Sequence, residues 1–476
     1  MSAVRIIPAG LSQFSLALLF AGTAEAAFTK YPYVQNLTDS SAVVRWETST
    51  AAPGLVQYGF SSGYGFEVSH STPDTVHELT LSGLVADTVY HYRVISEPDT
   101  SPDAQFSTIA SPDRPFRLIV YADTHGDSTT QQTVVNRMNL VEPRPGLLVH
   151  CGDVTASGTL DEYRVFFNVE RPLLCRTPFF PCLGNHDLGS ITNWRRFFCL
   201  PGNERWYSVR YGNAAFHCLD DSSSYAPGSE QYEWFLSELL ADSANPNIRH
   251  VFVWFHYPPY TTNQAYTGNM RARQYLCPLF ERFGIRVCFN GHVHAYEHSL
   301  VSGVHYITTG GGGAALATGW NAAQPWTVYR QATYHFTLLD IRGDTVFSRG
   351  IKPDGTVFDS FAIVASHTWL TTGPVSYLSV SGPTALPLPA AQQVRISFRL
   401  SEPEHIELVL FNPSGRQVAA LLDQMLQPGE HTVTWKPAGV TPGQYFCVLR
   451  TKSGALRRKS GHWWPGYSVV RVVLAR

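Results

Sequence analysis

The sequence predicts a multidomain chain: an N-terminal β-sandwich, a central α/β sandwich of mixed sheets flanked by helices, and a C-terminal β-sandwich. Three observations carry this. Residues 28 to about 108 hold short strand-like runs separated by turn residues. Residues 116 to about 300 alternate apolar runs with helical patterns. Strand-like runs then return, and resume again after a stretch rich in Ser, Thr, Pro and Ala at 366–391. At 476 residues the chain has room for roughly two to four domains. Its net charge of −2 forces no surface for long nucleic acid.

Residues 1–26 read as a secretory signal. Arg5 supplies a basic start, Phe14 to Ala21 an apolar core, and Ala24-Glu25-Ala26 a cleavage site. That core is too short to span a bilayer, and no later run of roughly 18 apolar residues exists, so no transmembrane segment is expected. The mature chain should be exported (secreted, periplasmic or at the cell surface), starting near Ala27. In residues 27–110, VVRWET (43–48), LVQYGF (55–60), HELTLSG (77–83) and VYHYRVIS (89–96) are strand candidates, with Trp46 in the core. Leu84, Thr88 and Tyr90 have the spacing of a tyrosine corner, in which a phenol ties a sandwich corner to the backbone.

Residues 114–365 form the central unit. Its helix candidates are Thr130–Val141, Leu160–Leu174, Ser229–Leu240 and Asn269–Phe283. Asp161 and Glu162 suit the start of the second helix through its dipole rather than a metal. Later strands are expected at 304–310, 334–341 and 345–351, and Gly310 to Gly313 read as a turn more than a ligand cradle. Residues 366–391 read as a linker and 392–476 as a further β module. Of eight cysteines, Cys151, Cys182, Cys218 and Cys288 sit in apolar runs, where buried thiols are common, so at most one disulfide is expected.

Chemistry concentrates in five apolar stretches of the central unit. They are FRLIVYADTH (116–125), GLLVHCGD (146–153), FFPCLGNHD (179–187), VFVWFHYPP (251–259) and RVCFNGHVH (286–294). Each ends in residues that ligate metals: Asp123, His125, Asp153, Asn185, His256, His292 and His294. In open α/β sheets the site lies at the carboxyl ends of the strands, so these side chains should converge. Two carboxylates, one amide and four imidazoles suit two adjacent cations, whose repulsion a bridging carboxylate offsets.

The ordered set D-x-H (123–125), G-D (152–153), G-N-H-D (184–187), His256 and G-H-x-H (291–294) resembles the calcineurin-like metallophosphoesterase superfamily. The front β module, which resembles a fibronectin type III domain, the F-H-Y-P-P run and G-H-V-H-A-Y-E (291–297) narrow this to purple acid phosphatase-like enzymes, over about 30–350. The resemblance implies a first metal on Asp123, His125, Asp153 and His294, and a second on Asp153, Asn185, His256 and His292. It implies phosphate monoester hydrolysis by in-line attack of metal-bound hydroxide. His186 would protonate the leaving oxygen and Asp187 would orient His186. Relatives of plant and animal type carry glycine at the position of His125 and a tyrosine ligand at that of Ala156. Without that phenolate the protein should not be purple, and Fe(II), Mn or Zn should serve. The C-terminal part, about 390–476, resembles the immunoglobulin-like sorting modules of exported bacterial proteins, which implies contact with a cell surface or secretion machinery. Its Leu456–Pro465 segment departs from the usual short hairpin there.

Two other readings stand beside the monoesterase: a phosphodiesterase or nucleotide hydrolase using the same site, and a non-enzymatic adhesion protein. Around the ligands, Tyr257 and Tyr260 line a cleft or pack a turn. Tyr296 packs behind the last ligand, and His298 stands where relatives carry arginine. His150 and His217 read as core histidines, and Asp220 and Asp221 as loop residues. Asn263, Arg271 and Arg273 are weak candidates for phosphate contacts.

Overall fold

The computed structural model describes residues 4–6, 27–112, 114–365, 375–381, 394–400, 403–411, 417–436, 443–451 and 467–474. They divide into two units, residues 1–367 and 368–476. The secretory signal, apart from Val4–Ile6, and Leu456–Pro465 lie outside the described residues.

The first unit begins with a seven-stranded β sheet. Its two expected early strands are one, Ser41–Gly59, because both halves pair with Phe66–Ser82. Register shifts between Glu47 and Gly54 absorb the residues that read as a turn. Trp46 is fully buried and its indole N–H donates to Ser96 Oγ at 2.9 Å. The tyrosine corner forms: Tyr90 Oη accepts from the Val85 N–H at 2.9 Å. Polar contacts fasten this sheet to the central layers. Buried Glu47 accepts from Arg164 and Arg196, Tyr92 Oη donates to Cys175 O (2.6 Å), and Arg45 donates to Arg196 O (3.0 Å).

Two sheets face each other in the central part. One runs, in spatial order, Phe179–Pro181, Leu147–His150, Phe116–Tyr121, Phe336–Arg342, Thr345–Ile351 and Val357–Val364. The other runs Tyr207–Tyr211, Ala214–Cys218, His250–Trp254, Val287–Asn290, Val304–Thr309, Tyr296–Val301 and Thr327–Gln331. Strands 116–121, 147–150 and 179–181 are parallel to one another, as are 214–218, 250–254, 287–290 and 304–309. Apolar residues of both sheets, among them Ile119, Val149, Phe252 and Phe289, share one core. Strands buried on both faces explain the near-continuous apolar runs in the sequence.

Helices cover the outside. Leu160–Leu174 has the expected bounds, and Thr159 and Glu162 close a capping box, so the acidic residues there serve the helix. The expected helix at 269–283 is instead two, Met270–Tyr275 and Cys277–Arg282. Pro278 lacks the N–H that a continuous helix needs and suits a fresh first turn. The second unit holds a three-stranded and a four-stranded antiparallel sheet around Ile396, Phe398, Ile406, Leu408 and Trp435. Val375–Ser381, within the expected linker, pairs with Val394–Leu400. All eight cysteines are free among the described residues.

Candidate metal centre

Every liganding candidate sits two to four residues past a parallel strand. Asp123 and His125 follow 116–121, Asp153 follows 147–150, Asn185 follows 179–181, His256 follows 250–254, and His292 and His294 follow 287–290. The loops are too tight for ordinary backbone. Asp123, Asp153 and His292 have φ of +57°, +57° and +67°. Non-glycine residues hold this conformation at about 1–3 kcal/mol each, and such strain collects where surrounding structure must fix a functional side chain.

Two buried carboxylates organise the centre. Asp153 Oδ1 accepts from the His186 N–H at 2.9 Å, and its Oδ2 lies 3.3 Å from His256 Nε2. Asn185 Oδ1 meets the same His256 nitrogen at 3.0 Å. Asp123 Oδ1 accepts from the His292 N–H at 3.2 Å and lies 3.7 Å from His294 Nε2. Asp123 Oδ2 is buried with no hydrogen-bond partner. The backbone closes on that oxygen: a Cβ at Gly310 would come within 2.7 Å of it. Gly184 is equally constrained, because its Cβ would collide with Asp153 Oδ1 and the Asp153 nitrogen. An orphaned, buried carboxylate oxygen costs free energy unless a cation meets it.

The imidazoles are aimed by backbone carbonyls. Nδ1 of His256 bonds Cys151 O (2.9 Å) and Nδ1 of His294 bonds Ala315 O (2.9 Å), which leaves Nε2 of each for the centre. Burial, reinforced by neighbouring imidazoles, pushes His125 down to about 4 and His292 to about 3. They are therefore neutral at ordinary pH. Burial also pulls His256 down, but the Asp153 and Asp123 charges overturn this and hold it at about 10. For Asp153, burial opposes ionisation, yet His256 and the His186 N–H outweigh it and keep the carboxylate below its usual range. The donors form three interlocking groups, each able to hold an ion: Asp123–His125–His294, His125–Asp153–His186 and Asp153–His256–His292. This chemistry of mixed carboxylate and imidazole fits Fe, Mn or Zn.

His186 is half-buried and stacks on His125 with ring centroids 4.5 Å apart. The expected role of Asp187 needs correction. No hydrogen bond joins Asp187 to His186; His186 Nδ1 bonds Ala156 O at 2.7 Å. The Asp187 carboxylate instead gathers the N–H groups of Asp153, Val154, Thr155 and Gly184. It clamps the two loops that carry Asp153 and Asn185.

The weaker candidates resolve into packing. His217 bridges Ser208 Oγ (2.7 Å) and Asp242 (2.8 Å) in the core. His150 is buried, with Thr124 Oγ1 at 3.2 Å from Nε2. Arg271 donates to Asp221 O, Arg273 to Pro259 O, and Asn263 to Ala317 O, so none of the three is committed to a phosphate. Tyr260 packs on Tyr306 and Trp326. Tyr296 Oη and His298 Nδ1 both bind Asp359 at 2.8 Å. Asp220 is tied by Arg205 at 2.7 Å, and Asp221 accepts from the Tyr257 N–H at 2.6 Å. The glycine run does more than turn the chain: Gly312 donates to Ala122 O (2.9 Å) and so packs against the Asp123 loop.

Tyr257 stands edge-on to His292, with ring centroids 4.4 Å apart. The sequence reading overlooked Tyr266, half-buried, 4.8 Å from His292 and 6.1 Å from His294 between ring centroids. It lies in a loop with no periodic signal, and only its distance from His256 along the same loop hinted at the site.

Residues 116–296 match the calcineurin-like phosphoesterase family, and residues 31–108 match the purple acid phosphatase N-terminal domain. A probable inactive purple acid phosphatase 27 of Arabidopsis thaliana is 25% identical over 50% of this chain and 46% of its own length. The chain thus spans about half of that relative. Purple acid phosphatase 18 of the same plant is 26% identical over 63% of this chain and 73% of its own. The structure of purple acid phosphatase PPD1 from yellow lupin seeds superposes with a TM-score of 0.62 at 19% identity, covering 70% of this chain and 74% of that one. The last likeness is one of fold.

Proposed function

We propose that this chain, whose residues 31–108 match a purple acid phosphatase N-terminal domain and whose residues 116–296 match the calcineurin-like phosphoesterase family, is a metal-dependent phosphoester hydrolase that acts on small phosphate monoesters at a two-ion centre. The observation that carries this is the set of three interlocking donor groups around two buried carboxylates. In this reading Asp123, His125, Asp153 and His294 would hold one ion. Asp153, Asn185, His256 and His292 would hold a second. Bound there, Fe, Mn or Zn would supply Lewis-acid charge to the phosphoryl group and to the water that attacks it.

The chain's own residues do the rest. The bond from His186 Nδ1 to Ala156 O fixes the ring, so the Nε2–H of the protonated imidazole serves the leaving oxygen. Asp187 holds Asp153 and Asn185 in register through the backbone N–H groups it collects. The test is hydrolysis of an aryl phosphate by the chain from Ala27 onward, with Mn, Fe or Zn restored and a chelated control. Asp153→Ala should lose metal and turnover together. His186→Ala should keep its metal and lose about 10²- to 10⁴-fold in kcat. An Asp153→Ala protein that retains metal and full turnover overturns the assignment.

Export from a cleaved residue 26 is part of the same reading, supported by Arg5, the apolar 14–21 stretch and Ala24-Glu25-Ala26. N-terminal sequencing of protein recovered outside the cytoplasm checks it. A C-terminal immunoglobulin-like module that contacts a cell surface or secretion machinery is also part of this reading; the strands among the described residues of 394–474 support its β architecture.

A further inference from the structure

A cavity of about 170 Å³ opens beside the centre, lined by Leu183, Gly184, Asn185, Leu188, Asp221, Ser222 and Tyr257. Its placement ties it to the chemistry. Asn185 forms part of the lining, and Leu188 sits on the short turn 187–190 that starts at His186. Leu188 is 40% exposed and presents an apolar side chain to the cavity. Tyr257 forms another part of the wall, edge-on to His292. A cavity of about 150 Å³ lined by apolar side chains holds one benzene ring, so this volume suits a single ring.

Two polar side chains of the lining, Asp221 and Ser222, are already engaged. Asp221 Oδ2 accepts from the Tyr257 N–H (2.6 Å), and Oδ1 from Tyr225 Oη (3.2 Å) and Asn269 Nδ2 (2.9 Å). Ser222 Oγ donates to Asp220 Oδ1 at 2.7 Å. A leaving group rich in hydroxyls finds both of these groups already taken.

We propose that this cavity receives the leaving group and selects one aromatic ring, which makes aryl phosphate monoesters the preferred substrate class. The inference rests on the placement of Asn185 and His186 proposed above. In the reaction the bond from phosphorus to the aryl oxygen breaks, and water oxygen forms the new bond to phosphorus. The His186 proton goes to the departing oxygen. The products are inorganic phosphate and a phenol.

The experiment is a calorimetric titration of phenylphosphonate and of methylphosphonate into the full, Mn-loaded chain, which needs no turnover. Phenylphosphonate should bind about tenfold tighter, the effect of burying one ring face. Leu188→Ala should shrink that gap to about threefold or less without changing methylphosphonate binding. Leu188→Trp, which fills the cavity, should abolish the gap. In kinetics, phenyl phosphate should exceed glycerol 2-phosphate in kcat/KM, and Leu188→Ala should lower only the former. Equal binding of the two phosphonates, or a gap untouched by both Leu188 variants, overturns the leaving-group cavity alone. Binding of neither overturns the phosphate site itself, and the cavity assignment with it.

Discussion

Replacing Asp187 by asparagine separates two roles that the sequence motif confuses. The carboxylate accepts the N–H groups of Asp153 (2.8 Å), Gly184 (3.0 Å), Thr155 (3.2 Å) and Val154 (3.3 Å). Asparagine keeps the shape but offers one acceptor oxygen. If that oxygen stays with Asp153, Val154 and Gly184, the amide nitrogen confronts the Thr155 N–H. One buried, unsatisfied donor costs about 1–3 kcal/mol. The three surviving bonds lose their charge assistance, another 2 kcal/mol or so in total. Part of this returns, because burial, then the Asp153 charge, pushes Asp187 up to about 7, and the neutral amide escapes that cost. The net loss is about 2–3 kcal/mol, which for a domain of this size lowers Tm by roughly 4–6 °C. Since the loop carries Asp153, metal affinity should fall about 10- to 100-fold, the usual effect of losing a partner that orients ligands. Differential scanning calorimetry and metal retention against a graded chelator read both. An Asp187→Asn protein with unchanged Tm and metal affinity, but with a displaced pH profile of kcat, would show that Asp187 acts through His186 after all.

Metal uptake at pH 7–8 should release protons. His256, held at about 10 by Asp153 and Asp123 despite its burial, must shed its proton to bind, and so must Asp123, whose carboxyl is pushed well above its usual range by burial, whereas His125 at about 4 and His292 at about 3 have none to lose. Affinity therefore falls as pH falls, and calorimetry in buffers of different ionisation enthalpy counts the protons. The iron-loaded protein should show no intense visible band, because Ala156 offers no phenol; a band removed by Tyr266→Phe would instead place that phenol on the metal. Glu170 is buried between Gln131 and Tyr121, and burial pushes it up to about 7. Its folded value lies above its ordinary one of 4.5, so its contribution to stability is full below 4.5 and declines as pH rises towards 7. Glu170→Gln should flatten that part of the Tm–pH curve, and an unchanged slope refutes this.

The residues of the metal centre were legible because of how parallel strands work. A strand buried on both faces is largely apolar until it leaves the sheet, so the carboxylate that follows FRLIVYA or GLLVHCG marks a strand end and, by topology, a candidate site. The capping box at Thr159 and the tyrosine corner at Tyr90 were equally readable, since both rest on short fixed spacings. Side-chain direction was not. His186 and Asp187 are neighbours in sequence, but on a turn of about three residues they point roughly 120° apart, and one faces the open site while the other faces the loop backbone. Arg271 and Arg273 look available in the sequence, yet carbonyls of Asp221 and Pro259 take them.

What the sequence determined by itself is the order of strands, the seven polar residues at their ends and the kind of cation chemistry they suit, because those depend on local pattern and donor type. What only the tertiary structure decided is which of these atoms meet, and how. Both sheets had to face each other before Asp123 and His294 could approach, or the Leu188 turn could open a cavity beside Asn185. The left-handed backbone at Asp123, Asp153 and His292 belongs to the same level, because strain at one residue persists only when packing from distant segments holds it there.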